Sequence, residues 1–355
     1  MEPVMNTLTE QGAELLIAGA ALTPSRPGFV GAEVDLLLSQ PGLPAPLADT
    51  LATGRARLRH GFLTARSARV AVVSGPPSPG LDTAVDRMTE DLPMPVPLFA
   101  GHGISLLSEA SDGGFTSATD GTAGVRVSLE AGVEEDGLFG LRRRWTLAHA
   151  LAPVLAAAFA NSPLRDGRPT GWKSARQATR QLARPTADPR SDWAALVLDA
   201  PVAGGGRTFR DWTRAGSRPS VADLRPHLAT VRPPIATRGH LEIDVADRQP
   251  GGGWRVPVAV IAALLDEPRA AVQALNLTEP LRAQPGLWER AAREGLGDPV
   301  LARAARGLFV SAYEGLTRQD VSRELRDAVA AFTDRYVMRG RCPADDVLDR
   351  ATATR

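Results

Sequence analysis

The chain has 355 residues, with 41 Lys+Arg against 40 Asp+Glu for a net charge of +1. That balance argues against a protein held on nucleic acid or a membrane surface by bulk electrostatics, and a chain of this length buries enough surface to fold without disulfide or metal staples. Lys173 is the single lysine, Cys342 the single cysteine, and there are five scattered histidines. These counts leave one position for a Schiff-base or Walker lysine, and they argue against an intrachain disulfide or a Cys- or His-rich metal site.

Helical spacing from Thr7 to Leu22 ends at Thr23-Pro24, a stop signal. Phe29 to Ser39 predicts a strand whose period of two puts Glu33 and Asp35 on one face. The proline-rich stretch from Gln40 to Pro46 reads as a loop. Ala68 to Val73 predicts a strand, ended by Ser74-Gly75-Pro76-Pro77, and Gly80 to Leu92 a helix. Ser108 to Gly124 is small, polar and glycine-rich, the composition of a flexible loop. Val125 to Leu129 alternates as a strand. Arg142 to Asn161 predicts the longest helix, with a kink at Pro153. A further helix starts near Gly171 and includes Ser174, Arg176 and Gln177. Ala195 to Asp199 and Gly239 to Ala246 predict strands, the latter before the turn Gln249 to Gly253. From Pro257 the spacing is helical, broken at Pro268, Pro280, Pro285 and Pro299.

Strands with unequal, mostly non-crossover connections and a helical tail imply an α+β fold. The expected organisation is one domain over residues 1–355, with an N-terminal helix (1–27), a sheet-bearing core (28–255) and a helical part (256–355). The N-terminus carries acids where a signal peptide would carry a basic stretch. The apolar run Val256 to Leu265 falls far short of the ~20 residues that span a bilayer. A cytoplasmic protein without membrane or nucleic-acid partners is the expectation.

Short catalytic motifs are missing: no P-loop, HExxH, GxSxG or strand-borne GxGxxG occurs. Cys342 lies between arginines in RGRCPADD, a setting that favours a thiolate, but a structural cysteine beside a helix start outweighs that reading. Longer ordered stretches carry more. AFANSPLRDGRPTGWKSARQ begins at Ala158, PPIATRGHLEIDVADRQPGGGW at Pro233, GAEVDLLL at Gly31, SGPP at Ser74, DLRPHLAT at Asp223 and RYVMRGRCPADD at Arg335. Taken in order, from about Gly31 to Asp346, they resemble the glutamate–cysteine ligase family. The similarity is greatest to the actinobacterial branch that makes γ-glutamylcysteine for ergothioneine.

The resemblance implies a curved, mainly antiparallel, funnel-like sheet covered by helices, as in glutamine synthetase and glutamate–cysteine ligase. It also implies ATP-dependent activation of a carboxylate, for which Mg²⁺ needs oxygen ligands. Of the family's metal motifs, Glu33 and Asp35 hold the E-x-E places. Val72 and Arg66 replace two glutamates of the second motif. Arg238 and Glu242 match the third, but Asp244 takes the place of its phosphate- or carboxylate-binding arginine, a charge reversal. The family's Q-V-N-x-D strand stands here as Arg126-Val127-Ser128-Leu129-Glu130. Strand alternation gives Glu33, Asp35, Arg126, Ser128, Glu242 and Asp244 as the candidate pocket lining. Asn161, Ser162, Trp172, Ser174, Arg176 and Arg238 are the scaffold side of that pocket. A bland role competes at each position: Asn161-Ser162-Pro163 as a helix end, Arg176 paired with a surface acid, Glu33 and Asp35 in water.

Three functions follow. In the first, which the substitutions favour, Mg·ATP machinery is lost and the pocket serves a small amino-acid-like ligand in a repurposed or accessory role. No catalytic residue and no cofactor is assigned in that case, and Arg126 pairs internally with Glu130 or Asp244. In the second, an active carboxylate–amine ligase holds Mg²⁺ on Glu33, Asp35 and Glu242 and uses ATP. In the third, the chain is a non-catalytic interaction subunit, either as a homo-oligomer or bound to an active ligase subunit.

Overall fold

The computed structural model describes residues 7–39, 45–52, 56–107, 110–111, 121–182, 185–186 and 188–353. Most of the expected flexible loop 108–124 and of the proline-rich stretch 40–46 lies outside the described residues; a short helix already begins at Ala45. One antiparallel sheet organises the chain. Its strands are β1 (Phe29–Leu38), β2 (Phe62–Ser67), β3 (Val70–Ser74), β4 (Gly124–Leu129), β5 (Ile235–Thr237) and β6 (Leu241–Asp247). The spatial order is β5-β6-β4-β1-β3-β2, with Ala56–Arg57 beyond β2 and the short segments Ser78–Pro79 and Leu106–Leu107 also paired to β1. The sheet is open and antiparallel, as the α+β expectation has it.

Register divides the sheet into an apolar and a polar face. Val30, Ala32, Val34 and Leu36 of β1 join Val125, Val127 and Leu129 of β4 and Ile243 of β6 in the main core. Helices α2 (Leu81–Asp91), α3 (Leu141–Ala158) and α5 (Arg255–Asp266) cover this face and touch the sheet directly. Helix α5 is buried from Val256 to Leu265, which is why its sequence shows an unbroken apolar run rather than an amphipathic stripe. Behind it lie α6 (Pro268–Thr278), α7 (Pro299–Arg318) and α8 (Arg323–Arg335). Among the described residues no helix is long and apolar enough to cross a membrane.

A second apolar cluster joins α1 (Glu10–Ala21) to α4 (Pro189–Asp199) through Ala13, Ile17, Trp193 and Val197. Here the expected strand at Ala195 to Asp199 is corrected to the last turns of a helix. Asp188 caps it by accepting from the Arg190 N–H at 3.2 Å, and Pro189 occupies its first turn. A short apolar run such as AALVL carries no period to distinguish the two. The strand Phe62–Ser67 was not expected. The helix around Ser174 is a single turn, Ala175–Ala178, capped by the Ser174 hydroxyl.

Candidate functional site on the polar face

Side chains opposite the apolar set collect charge. Glu33 on β1 faces Arg126 on β4 and Ser74 on β3; Gly31 faces Ser128, which in turn faces Glu242 on β6. Glu33 ion-pairs with Arg126 and accepts from the Ser74 hydroxyl at 3.0 Å. Asp35, which is 1% exposed, takes both ends of the Arg66 guanidinium and the Gly124 N–H at 2.9 Å. Arg126 lies 3.7 Å from the same carboxylate. Arg126 therefore pairs with Glu33, and the expected partners Glu130 and Asp244 are corrected. The Glu130 carboxylate instead accepts from the Phe29 N–H at 3.3 Å.

Asp244 is buried and forks two arginines: Arg176, and Arg180 at 2.6 Å. Arg176 is thus paired inside the protein, not with a surface acid. Burial opposes ionisation of Asp244, but Arg176, Arg180, Arg126 and Arg66 outweigh it and hold the carboxyl far below the usual range. Glu242 follows the same pattern, with burial opposed by Arg126 and Arg238; its contact with Arg238 is 3.2 Å. Arg126 is pushed up, because Glu33 and Asp35 overcome its burial.

Behind Arg176 lies a wholly buried carboxylate that sequence reasoning missed. Asp247 accepts from the Ser162 hydroxyl at 2.8 Å, the Ser174 hydroxyl at 3.0 Å and the Asn161 N–H at 2.8 Å. Strict alternation would put Asp247 on the face opposite Asp244. The pairing of β6 with β4 shifts between Ile243 and Ala246, a bulge that lets both acids approach Arg176. Asn161, Ser162 and Ser174 therefore position Arg176 from behind; the helix they were weighed against ends earlier, at Ala158. Gly124 completes the fit. A Cβ there would lie 2.3 Å from Arg176 Cζ, so any other residue would displace the guanidinium.

Trp172 is not brought to this face. Its ring stacks under Arg293 at 4.5 Å and lines a separate cleft with Arg165, Arg168 and Thr179. Cys342 is buried in contact with Asp345, and burial pushes its thiol well above the ordinary range, which suits a structural cysteine. Sequence reasoning also missed Arg180 and Arg232, which match no motif, and His240, which sits within the stretch from Pro233 but between its motif residues Arg238 and Glu242.

At one end of the face a cleft of about 470 Å³ is lined by Glu33, Ser74, Ser128, Arg238, His240 and Glu242. His240 is held neutral at ordinary pH, its pKa lowered mainly by burial. Magnesium requires carboxylate oxygens free to turn towards it. Asp35 has both oxygens on Arg66, while Glu33 and Glu242 each bind an arginine. Among the described residues no group of three or more His, Cys, Asp or Glu is arranged to hold a metal ion. The side chains present do not fit Mg²⁺.

The family model "Glutamate-cysteine ligase family 2 (GCS2)" matches residues 116–355. Glutamate–cysteine ligase EgtA of Mycobacterium tuberculosis is 33% identical over 337 residues, covering 79% of this chain and 75% of that protein. EgtA of Mycolicibacterium smegmatis is 37% identical over 257 residues, covering 65% of this chain and 58% of that one. A solved structure of glutamate–cysteine ligase (gshA) from Francisella tularensis in complex with AMP aligns at a TM-score of 0.49 and 13% identity, over 93% of this chain and 89% of that chain. The family model, which covers more than half of the chain, and the identity to EgtA over most of its length place the chain in glutamate–cysteine ligase family 2.

Proposed function

We propose that this family member has given up Mg·ATP chemistry at its polar sheet face and uses the adjoining cleft to hold a small amino-acid-like molecule. One observation carries the reading: the carboxylates at the family's metal positions, Glu33, Asp35 and Glu242, are each engaged by an arginine. Freeing Glu33 and Asp35 for a metal would strip Arg126 and Arg66 of their carboxylate partners in a largely buried setting, at a cost of several kcal/mol. The cleft presents the hydroxyls of Ser74 and Ser128 beside the already paired charges of Glu33, Arg238 and Glu242, a polar lining of both signs that suits a small zwitterion.

Titration calorimetry of ATP, with and without Mg²⁺ and then with glutamate and cysteine added, tests this. The expected result is no Mg²⁺-dependent heat from ATP, with heat from an amino acid alone. Tight Mg²⁺-dependent ATP binding, followed by ADP release when glutamate and cysteine are present, would overturn it. That outcome would support the second reading, an active ligase forming a γ-glutamyl amide, which the 33–37% identity to proteins named glutamate–cysteine ligase EgtA favours.

A further inference from the structure

The far end of the polar face holds more guanidinium than carboxylate. Arg66 grips Asp35, while Arg176 and Arg180 divide the single carboxylate of Asp244. Arg180 also donates to the backbone carbonyl of Arg232 at 3.1 Å, and the Arg232 guanidinium lies within electrostatic reach of Arg66, Arg126 and Asp244. Arg232 is partly buried and forms no ion pair at contact distance among the described residues, with Asp244 the one acid that acts on it from further away. The Nε groups of Arg66, Arg126 and Arg180 are buried without a hydrogen-bond partner among the described residues. Buried donors of this kind are nearly always satisfied in a native protein, so several on one face point to an absent acceptor.

We propose that this end of the polar face is an oxyanion site, in which a carboxylate or phosphate group of a small molecule binds directly to Arg66, Arg180 and Arg232 with no divalent metal between. Arg66 stands where the family resemblance puts a metal-binding glutamate, so the substitution reverses the sign of the ion that the position attracts. Guanidinium forks suit either group, because both present paired oxygens at matching spacing. Crowding of like charge supports the site: burial first, then Arg176, Arg66 and Arg126 acting against Asp244, lowers Arg180 to about 9. Burial, Arg66 and Arg126 together lower Arg232 to about 10. An anion placed among them relieves that repulsion.

This inference rests on the reading that Mg²⁺ is not held here, and its test is free of both metal and nucleotide. The full chain in EDTA is titrated with inorganic phosphate and, separately, with succinate, by calorimetry and by thermal melting. At least one anion is expected to bind and to raise the Tm. Arg232→Gln is expected to weaken that binding about tenfold, the loss of one charge-assisted hydrogen bond, and to melt as the native chain does without ligand. Binding of phosphate alone would identify a phosphoryl group, and binding of succinate alone a carboxylate. Should Arg232→Gln fail to fold, Arg232→Lys, which keeps the charge but loses the fork, is expected to bind measurably more weakly than native. If neither anion binds, or the variants bind as tightly as native, the oxyanion site is wrong and the reading that Mg²⁺ is not held here is untouched. Mg²⁺-dependent ATP binding would overturn that reading while leaving phosphate binding in EDTA as its own result.

Discussion

Val34 and Asp35 are neighbours on the central strand, yet one side chain joins the main apolar core and the other sits between guanidiniums. Both are buried, at 1% exposure each. The apolar face gains from burial itself, about 25 cal/mol per Å² removed from water. The polar face gains little net energy, because desolvating its charges offsets their attraction, and it becomes costly only when one partner is removed. One face therefore provides most of the stability. The other fixes which charges meet, and so which ligand fits.

The largest expected effect breaks the polar side of this comparison. Asp244→Ala leaves Arg176 and Arg180 buried without their carboxylate and is expected to cost about 3–5 kcal/mol in urea unfolding. A loss below about 1 kcal/mol would mean that those arginines reach water. On the apolar face, Leu36→Ala is expected to cost about 2–5 kcal/mol, and unlike Asp244→Ala its cost should not change between pH 7 and 3. Gly124→Ala is expected to be smaller, about 1–3 kcal/mol, since the added methyl must push the Arg176 guanidinium aside. A neutral result there would show that Arg176 is not fixed against the β4 backbone.

Acid sharpens the same contrast. Asp244 and Glu242 have folded pKa values below their unfolded ones, so their stabilisation is present above about pH 4 and is lost as pH falls through the folded values. His149 adds a separate phase. Burial lowers it to about 4, so its contribution is present above about pH 6.5 and is lost as pH falls towards 4. Unfolding free energy measured from pH 7 to 3 should therefore decline in two stages. His149→Gln is expected to shrink the upper stage, leaving the part due to His240 and His227, which burial also lowers, and Asp244→Asn to flatten the lower one.

Alternation made much of this legible in the sequence. Glu33 and Asp35 share a face with Arg126, Ser128 and Glu242 because each lies on a regular stretch of strand, and Asp244 joins them at the start of the β6 bulge. Across-strand register was not legible: nothing local says that Glu33 faces Arg126 and not Glu130, since pairing depends on how distant segments align. Asp247 escaped because a bulge breaks period two. Arg180 and Arg232 escaped because arginines outside motifs read as solvated surface. The helix Pro189–Asp199 was misread because its apolar run is fully buried, although Asp188-Pro189 was a visible start signal.

The most direct measurement is titration of Mn²⁺, a spectroscopic stand-in for Mg²⁺, into the native chain by electron paramagnetic resonance, beside Glu33→Gln. Carboxylates already held by Arg66, Arg126 and Arg238 predict no stoichiometric Mn²⁺ site, with native and variant giving the same free-ion signal. A bound ion at one equivalent or more that disappears in Glu33→Gln would contradict the metal-free reading and return this face to Mg·ATP chemistry.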